Sequence, residues 1–195
     1  HTFLQGVTSI DFLDTNSVKI TSRLFNRSKN MKTFAVWSLA MLKGPGLEIV
    51  PLPQDETAFY PQRIYTLWNF GAKNNDSRAY YGDRYFTLKM EPGNMLAYKV
   101  GMRMNAGKVV YLTDTDVFVL KTNRIEGSQY PDYNVNYETY TKHLFLEMET
   151  LGPIQNVSPG SFSEHHEIWS IYPMSETIPE PDDEDTFTDI LNIYQ

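Results

Sequence analysis

Apolar and polar positions alternate along much of the chain. Residues 17–27, SVKITSRLFNR, set Val18, Ile20, Ser22 and Leu24 against Lys19, Thr21 and Arg23, the period of a half-buried strand. Ser28-Lys29-Asn30 reads as a turn. Residues 32–42, KTFAVWSLAML, then run apolar to Gly44-Pro45-Gly46; Ala, Leu and Met there allow a helix, while Thr, Phe, Val and Trp favour a strand. LEIVPLP follows as a short strand closed by prolines. Residues 52–84 hold polar and Pro/Gly-rich loops around one patterned piece, RIYTLWNF, and loops this long are often functional.

The strand periodicity then returns. RYFTLKM, MLAYKVGMRM and KVVYLTDTDVFVLKT are separated by Glu91-Pro92-Gly93-Asn94 and Asn105-Ala106-Gly107, which predicts an antiparallel meander. VNYETYT and HLFLEMET predict a further pair, and SFSEHHEIWSIYP closes the sheet. The pattern predicts one β domain over 1–174 and an acidic tail over 175–195. Within that tail, 175–186 reads as flexible. Phe187, Ile190, Leu191 and Tyr194 have the spacing of one short helix.

Composition narrows the function classes. Aromatic residues reach 14%, which favours strands and also supplies flat faces suited to sugars, although a β core uses the same residues. The net charge is -7, but seven acids and no base fall within 176–189, so the rest is near neutral. A nucleic-acid footprint is not expected. Absence of cysteine excludes disulfides, thiolate metal sites and cysteine nucleophiles. No segment is long and apolar enough for a spanning helix, so no membrane partner is expected. His1 is not an initiator Met, so the chain is expected to begin inside a longer precursor, and the compartment leans to the bacterial periplasm or secretion. No phosphate loop, dinucleotide fingerprint or Ser-His-Asp spacing is present, and no cofactor is expected.

Several residues carry candidate chemistry. In LFLEMETLGP, Glu147 and Glu149 stand two apart and so share one strand face, about 7 Å apart. Such carboxylates can separate each other's pKa for acid/base work; the alternative is one ion pair and one solvated acid. They need a cation or donors, and Arg63, Arg78 or a tyrosine from the 60–85 segment is expected to supply them. Trp68, Tyr80 and Tyr81 could stack on a sugar ring or pack in the core. Alternation in NVNYETY places Asn134, Asn136, Glu138 and Tyr140 on one face, the lining of a polar cleft or of a solvated sheet. His165-x-Glu167 shares a face, but no third metal ligand can be named, and no metal is expected.

Several motifs together resemble an uncharacterised bacterial carbohydrate-associated family on the galactose mutarotase-like fold. These are SVKITSRLFNRSKNMKTFAVWSLAML with Trp37, PQRIYTLWNF with Trp68, Asp76-Ser77-Arg78, YPDYNVNYETYT, METLGP, and Pro159-Gly160 followed by His165-x-Glu167-x-Trp169. The resemblance runs from about 15 to 173. It implies an all-β antiparallel two-sheet supersandwich, and it implies N-terminal strands that are missing here or lie on a second chain. It also implies a carbohydrate ligand. Glu149, or Glu147 one step along, would be the proton-taking carboxylate, and Arg63, Arg78, Trp68, Asn134, Glu138 and Tyr140 would bind substrate. No histidine matches the family's general acid. If the protein is an enzyme, epimerisation or glycan processing is implied; the alternatives are a non-catalytic glycan-binding module and a structural or interaction domain.

Overall fold

The alternation in residues 17–27 folds into a strand that pairs on both sides. The structure, a computed structural model, describes residues 2–55, 57, 59–70, 76–175 and 177–194. There β2 (Ser17–Asn26) lies between β1 (Leu4–Phe12) and the long β15 (Phe162–Pro173). The same sheet continues through β11 (Asp116–Lys121), β10 (Lys108–Leu112), β5 (Gly46–Pro51), β8 (Tyr85–Met90) and β7 (Ala79–Tyr81). A second sheet has the order β4 (Trp37–Lys43), β13 (Phe145–Leu151), β12 (Tyr137–Lys142), β9 (Tyr98–Met102), β6 (Tyr65–Leu67). A two-stranded ribbon joins β3 (Lys32–Phe34) to β14 (Gln155–Val157). Two short helical elements complete the chain, α1 (Pro131–Asn134) and α2 (Glu184–Ile193).

Of the described residues 49% lie in strands and 8% in helix, and the described strand pairs are antiparallel, as the alternation predicts. The fold is an all-β sandwich of two packed sheets. Several details differ from the sequence reading, among them the run 108–122, which is the hairpin of β10 and β11, and the helix, which begins at Glu184 within the stretch read as flexible. Residues 32–42 are split between β3 and β4, because at Val36 the side chain turns into the interior and its carbonyl accepts the Gly152 N–H at 2.8 Å. The expected meander is also broken. β9 belongs to the five-stranded sheet and β10 to the eight-stranded one, so the chain crosses between layers there.

Alternation places each strand's residues in two environments. One apolar cluster fills the space between the sheets, with Val50, Phe86, Val100, Tyr137, Leu146 and Met148 among its members. A second joins the outer side of β5, β10 and β11 to α2 through Leu47, Ile49, Val110, Val119, Phe187 and Leu191. α2 begins ahead of its expected apolar positions because Asp183 caps it, accepting from the Thr186 N–H at 3.2 Å. Ahead of the helix, the Thr87 hydroxyl donates to the Pro181 carbonyl at 2.9 Å. Arg84 pairs with Glu184 at 3.1 Å.

The interior between the sheets holds one carboxyl from β5. Glu48 is fully buried beside Val50 and accepts the Tyr137 hydroxyl's hydrogen bond. Burial drives its pKa up to about 8, against the pull of hydrogen bonds from Tyr137 and Thr139; the Glu149 charge adds to the rise. The folded protein therefore binds a proton here that the unfolded chain releases near 4.5. Stability contributed by the neutral carboxyl is complete below that value and is lost as pH rises through about 8. Glu48→Gln keeps the acceptor for Tyr137 and cannot ionise. Urea unfolding is expected to show the variant close to wild type at pH 5 and more stable at pH 9 by a few kcal/mol, since each pH step between the two midpoints is worth about 1.4 kcal/mol. Equal pH slopes for the two proteins would contradict this.

Candidate functional site

The second face of the five-stranded sheet points away from the interior, and strand register determines what stands on it. Lys99 on β9 is opposite Tyr140 on β12, which is opposite Glu147 on β13, which is opposite Met41 on β4. One rung along, Gly101, Glu138, Glu149 and Leu39 form a parallel row. Glu147 and Glu149 therefore share a face, as their spacing predicts.

Lys99 gathers the carboxylates. Its ammonium lies 2.8 Å from Glu138 Oε2 and 3.0 and 2.8 Å from the two oxygens of Glu149. The Trp37 indole N–H donates to Glu149 Oε2 at 2.9 Å. The two tryptophan rings flank the ammonium, with Nζ 5.2 Å from the Trp37 centroid and 4.8 Å from that of Trp68. Burial alone would lower the Lys99 pKa, but Glu138 and Glu149 outweigh it and hold it above its ordinary value. Burial pushes Glu138 up to about 7 despite Lys99, with the Asp132 carboxyl and Glu149 adding to the rise. Glu147 is also raised, first by burial and then by the Glu149 charge.

These groups border a cavity of about 360 Å³ lined by Trp37, Trp68, Lys99, Asp132, Glu138 and Leu151. Gly101 lets Val135 and Trp68 seat close over β9: a Cβ there would lie 3.0 Å from Val135 Cγ2 and 3.3 Å from the Trp68 ring. α1 closes one wall. Asp132, Tyr133 and Asn134 have φ of 49, 65 and 71°, three consecutive left-handed residues that are not glycine. Side chains hold this turn. Asn134 Oδ1 accepts from the Tyr130 N–H at 3.0 Å and from Arg124 at 3.1 Å, and the Thr66 hydroxyl donates to the Asp132 carbonyl at 3.0 Å.

Of the sequence-derived candidates, Glu149, Glu138 and Trp68 come together, with Tyr140 and Glu147 one rung away. Asn134 does not join their face, because β12 begins only at Tyr137, and its amide instead holds α1. Asn136 exchanges two hydrogen bonds with the Met104 backbone. The expected arginine is replaced by Lys99. Arg78 is buried in a bidentate pair with Asp76, at 2.9 and 2.7 Å, although its charge is felt at Tyr140. Arg63 donates to the Pro53 carbonyl at 3.4 Å, beside a separate hollow. Tyr80 is exposed, and Tyr81 shares a hydrogen bond with Tyr98 at 2.5 Å. His165 and Glu167 point inward and meet on the Thr150 hydroxyl, at 2.7 and 2.5 Å, with Ser38 completing the network. Burial lowers His165 to about 4, so it is a neutral structural group. Among the described residues no cluster has the makings of a metal site.

Sequence reasoning missed Lys99, Asp132 and Gly101 as site residues, and took Trp37 only as part of a motif. Lys99 carried one signal, a lone cation inside the apolar run of β9, but its partners depend on register. A larger concavity of about 690 Å³ opens where β11 leaves β15, bordered by Lys19, Lys108 and Lys121. Lys108 there is engaged with the Leu191 and Tyr194 carbonyls, and the acids along its wall are held by Arg23, His166, Thr150 and Ser38; the smaller cavity, where Lys99 and Glu138 stand between two tryptophans, is the candidate site.

The architecture is that of the galactose mutarotase-like supersandwich. A candidate aldose 1-epimerase from Klebsiella pneumoniae superposes with a TM-score of 0.59 at 9% identity, over 97% of this chain and 50% of its own. A second, from Escherichia coli K12, gives 0.53 at 10% identity, over 88% of this chain and 61% of its own. A TPR-domain containing protein from Parabacteroides distasonis gives 0.52 at 12%, over 92% of this chain and 33% of its own. The chain thus spans about a third to three-fifths of the length of these structures. No family model and no curated protein matches its sequence.

The Lys99 cluster generates a stability prediction. Its side chain is 10% exposed and those of Glu138 and Glu149 are 3% and 0% exposed. Lys99→Met would leave two buried carboxylates with no cation, at a cost of about 3–5 kcal/mol near neutral pH. Urea denaturation should show that loss at pH 7.5 and a smaller one at pH 4, where the protonated Glu138 carboxyl no longer needs a cation. A loss below 1 kcal/mol at both would mean that the pair is not holding the face together.

Proposed function

We propose that the chain binds a carbohydrate in the cleft between Trp37 and Trp68, and that the site transfers protons at the anomeric carbon of an aldose. The observation that carries this reading is the Lys99 cluster, with aromatic walls on both sides and the Glu138 carboxyl beside the cavity. Flat ring faces suit the apolar face of a sugar, and carboxyl and ammonium groups suit its hydroxyls. The fold adds support, since two of the structural neighbours are candidate aldose 1-epimerases. In such a reaction one group takes the anomeric hydroxyl proton while another protonates the ring oxygen, so an acid and a base must both reach the ring.

A second reading, a non-catalytic glycan-binding module, is favoured by one observation. Glu149, the proton-taking carboxylate of the family pattern, is fully buried and engaged by Lys99 and Trp37. In both readings the partner is a sugar.

A thermal-shift and tryptophan-fluorescence screen against mono- and oligosaccharides tests the shared claim. A bound sugar should raise the melting temperature and change the emission of Trp68. Trp68→Ala should weaken binding about tenfold, equivalent to about 1.4 kcal/mol, while the unliganded protein remains folded. No response from any sugar, or full affinity in Trp68→Ala, would remove the cleft from consideration. Polarimetry of freshly dissolved D-galactose and D-glucose separates the readings: an epimerase accelerates mutarotation, and a binding module does not.

A further inference from the structure

α2 packs on the outer side of β5, β10 and β11, and strand register brings three lysines to the same side beside its last turn. Lys108 on β10 is opposite Lys121 on β11, Lys121 is opposite Ile168 on β15, and Ile168 is opposite Lys19 on β2. All three lysines border the concavity of about 690 Å³, together with Leu191 and Asn192 from the helix end and Glu164 and His166 from β15. Like charges directly opposed on neighbouring strands are destabilising. Burial lowers the pKa of Lys108, and the Lys121 charge lowers it further. The Lys108 ammonium is held by the Leu191 and Tyr194 carbonyls. Neither the Lys19 nor the Lys121 side chain has an ion pair or hydrogen bond among the described residues, although Asp11 opposes Lys19 from β1. The acids of the concavity are already engaged. Glu164 pairs with Arg23 and lies 2.8 Å from His166 Nε2, and Glu167 turns inward to Thr150 and Ser38.

We propose that this concavity is an anion site for a phosphate group, free or carried on a small molecule, held by the ammoniums of Lys19, Lys108 and Lys121. An anion between Lys108 and Lys121 turns their repulsion into two attractions. A phosphate suits the row better than a carboxylate, because it brings a charge of about −1.5 to −2 near pH 7 and three strong acceptor oxygens for several ammoniums at once. The carbonyls at the end of α2 would repel an anion, but Lys108 caps two of them and is itself fixed by them, so less side-chain freedom is lost on binding. The volume is that of a small-molecule pocket, for which about 300–1,000 Å³ is usual. It leaves room beyond a bare phosphate, with Ile125 and Pro153 as apolar wall and Asn123 beside them. The row lies on the eight-stranded sheet, away from the Lys99 cleft, so the proposal does not depend on sugar binding there.

Thermal shift and isothermal titration in phosphate-free buffer test the site. Inorganic phosphate and glycerol 3-phosphate are the probes, with sodium chloride and sodium acetate at equal ionic strength as controls. Glycerol 3-phosphate has no sugar ring, so the cleft between Trp37 and Trp68 is not in play. Both phosphates should bind at one per chain and raise the melting temperature until the site is saturated, and neither control should do so. Lys121→Gln should weaken phosphate binding about tenfold. Without phosphate the same variant should melt no lower than wild type, since it removes one of two opposed like charges. Lys19→Gln, at the other end of the row, is the second variant and should lose affinity in the same way. Tighter binding of glycerol 3-phosphate than of phosphate would assign the site to a phosphorylated molecule, and equal binding would assign it to phosphate itself. A rise matched by chloride or acetate, unchanged affinity in both variants, or a lower melting temperature for phosphate-free Lys121→Gln would overturn the proposal.

Discussion

One ammonium organises the open face of this protein. Lys99 is opposite Tyr140 in register, yet it reaches diagonally to Glu138 and Glu149 on the next rung. Without it, two nearly dry carboxylates would stand on adjacent strands at directly opposed positions, the least favourable placement for like charges in a sheet. With it, β9, β12 and β13 are tied together by charge on one side and by Val100, Thr139 and Met148 on the other. The tryptophans shield the ammonium from water, which strengthens its hold on both acids and limits the routes by which a ligand can approach.

Alternation along β12 and β13 places polar groups on both sides of the same sheet. Tyr137 turns inward to Glu48 while its neighbour Glu138 turns outward to Lys99. On β13, Glu149 faces the cleft while Thr150 bridges His165 and Glu167 within the sandwich. Charge is felt through the sheet, since Glu149 raises the pKa of Glu48 from the opposite face. The interior carboxyls accept from hydroxyls, Glu48 from Tyr137 and Glu167 from Thr150 and Ser38, burial raises the pKa of both, and Glu48 Oε2 has no hydrogen-bond partner among the described residues. The outward Glu138 meets an ammonium through Oε2, and its Oε1, like Glu48 Oε2, has no partner among the described residues. The His165-x-Glu167 motif thus turns inward to Thr150, while Glu138 lines the cavity beside Trp37 and Trp68.

The fold was largely legible in the sequence because the strands are amphipathic and their periods survive folding. Residues 17–27 are an example in which alternation and the following turn residues locate a strand within a residue or two, whereas 108–122, read as one run, folds as the hairpin of β10 and β11. The shared face of Glu147 and Glu149 was legible for the same reason. Which cation meets them was not. Arg63 and Arg78 lay in a loop-rich segment and had the chemistry of a partner, but Arg78 is captured by Asp76 two residues away, a local pairing that takes precedence over a distant one. Lys99 was hidden by its setting, since its partners follow from pairing β9 with β12, which no local pattern specifies. Asn134 was misplaced because alternation was carried three residues too far, into a left-handed turn that no propensity announces.

That turn shows how the cleft depends on distant parts of the chain. Three left-handed residues without glycine cost on the order of 1 kcal/mol or more each and persist only where their surroundings hold them. Here the Arg124 guanidinium stacks 4.4 Å from the Tyr130 ring and donates to Asn134, while Thr66 on β6 fixes the Asp132 carbonyl. An ordinary turn with the same ends would direct the Asp132 carboxyl elsewhere. The strain, the missing side chain at Gly101 and the seating of Trp68 above it therefore act in one direction. Together they create a small walled space in which a carboxyl keeps a proton near neutral pH, next to an ammonium that cannot leave. A sheet face meant only to be solvated would require none of these features, and on this sheet they converge at the one place where Lys99 fixes the charge.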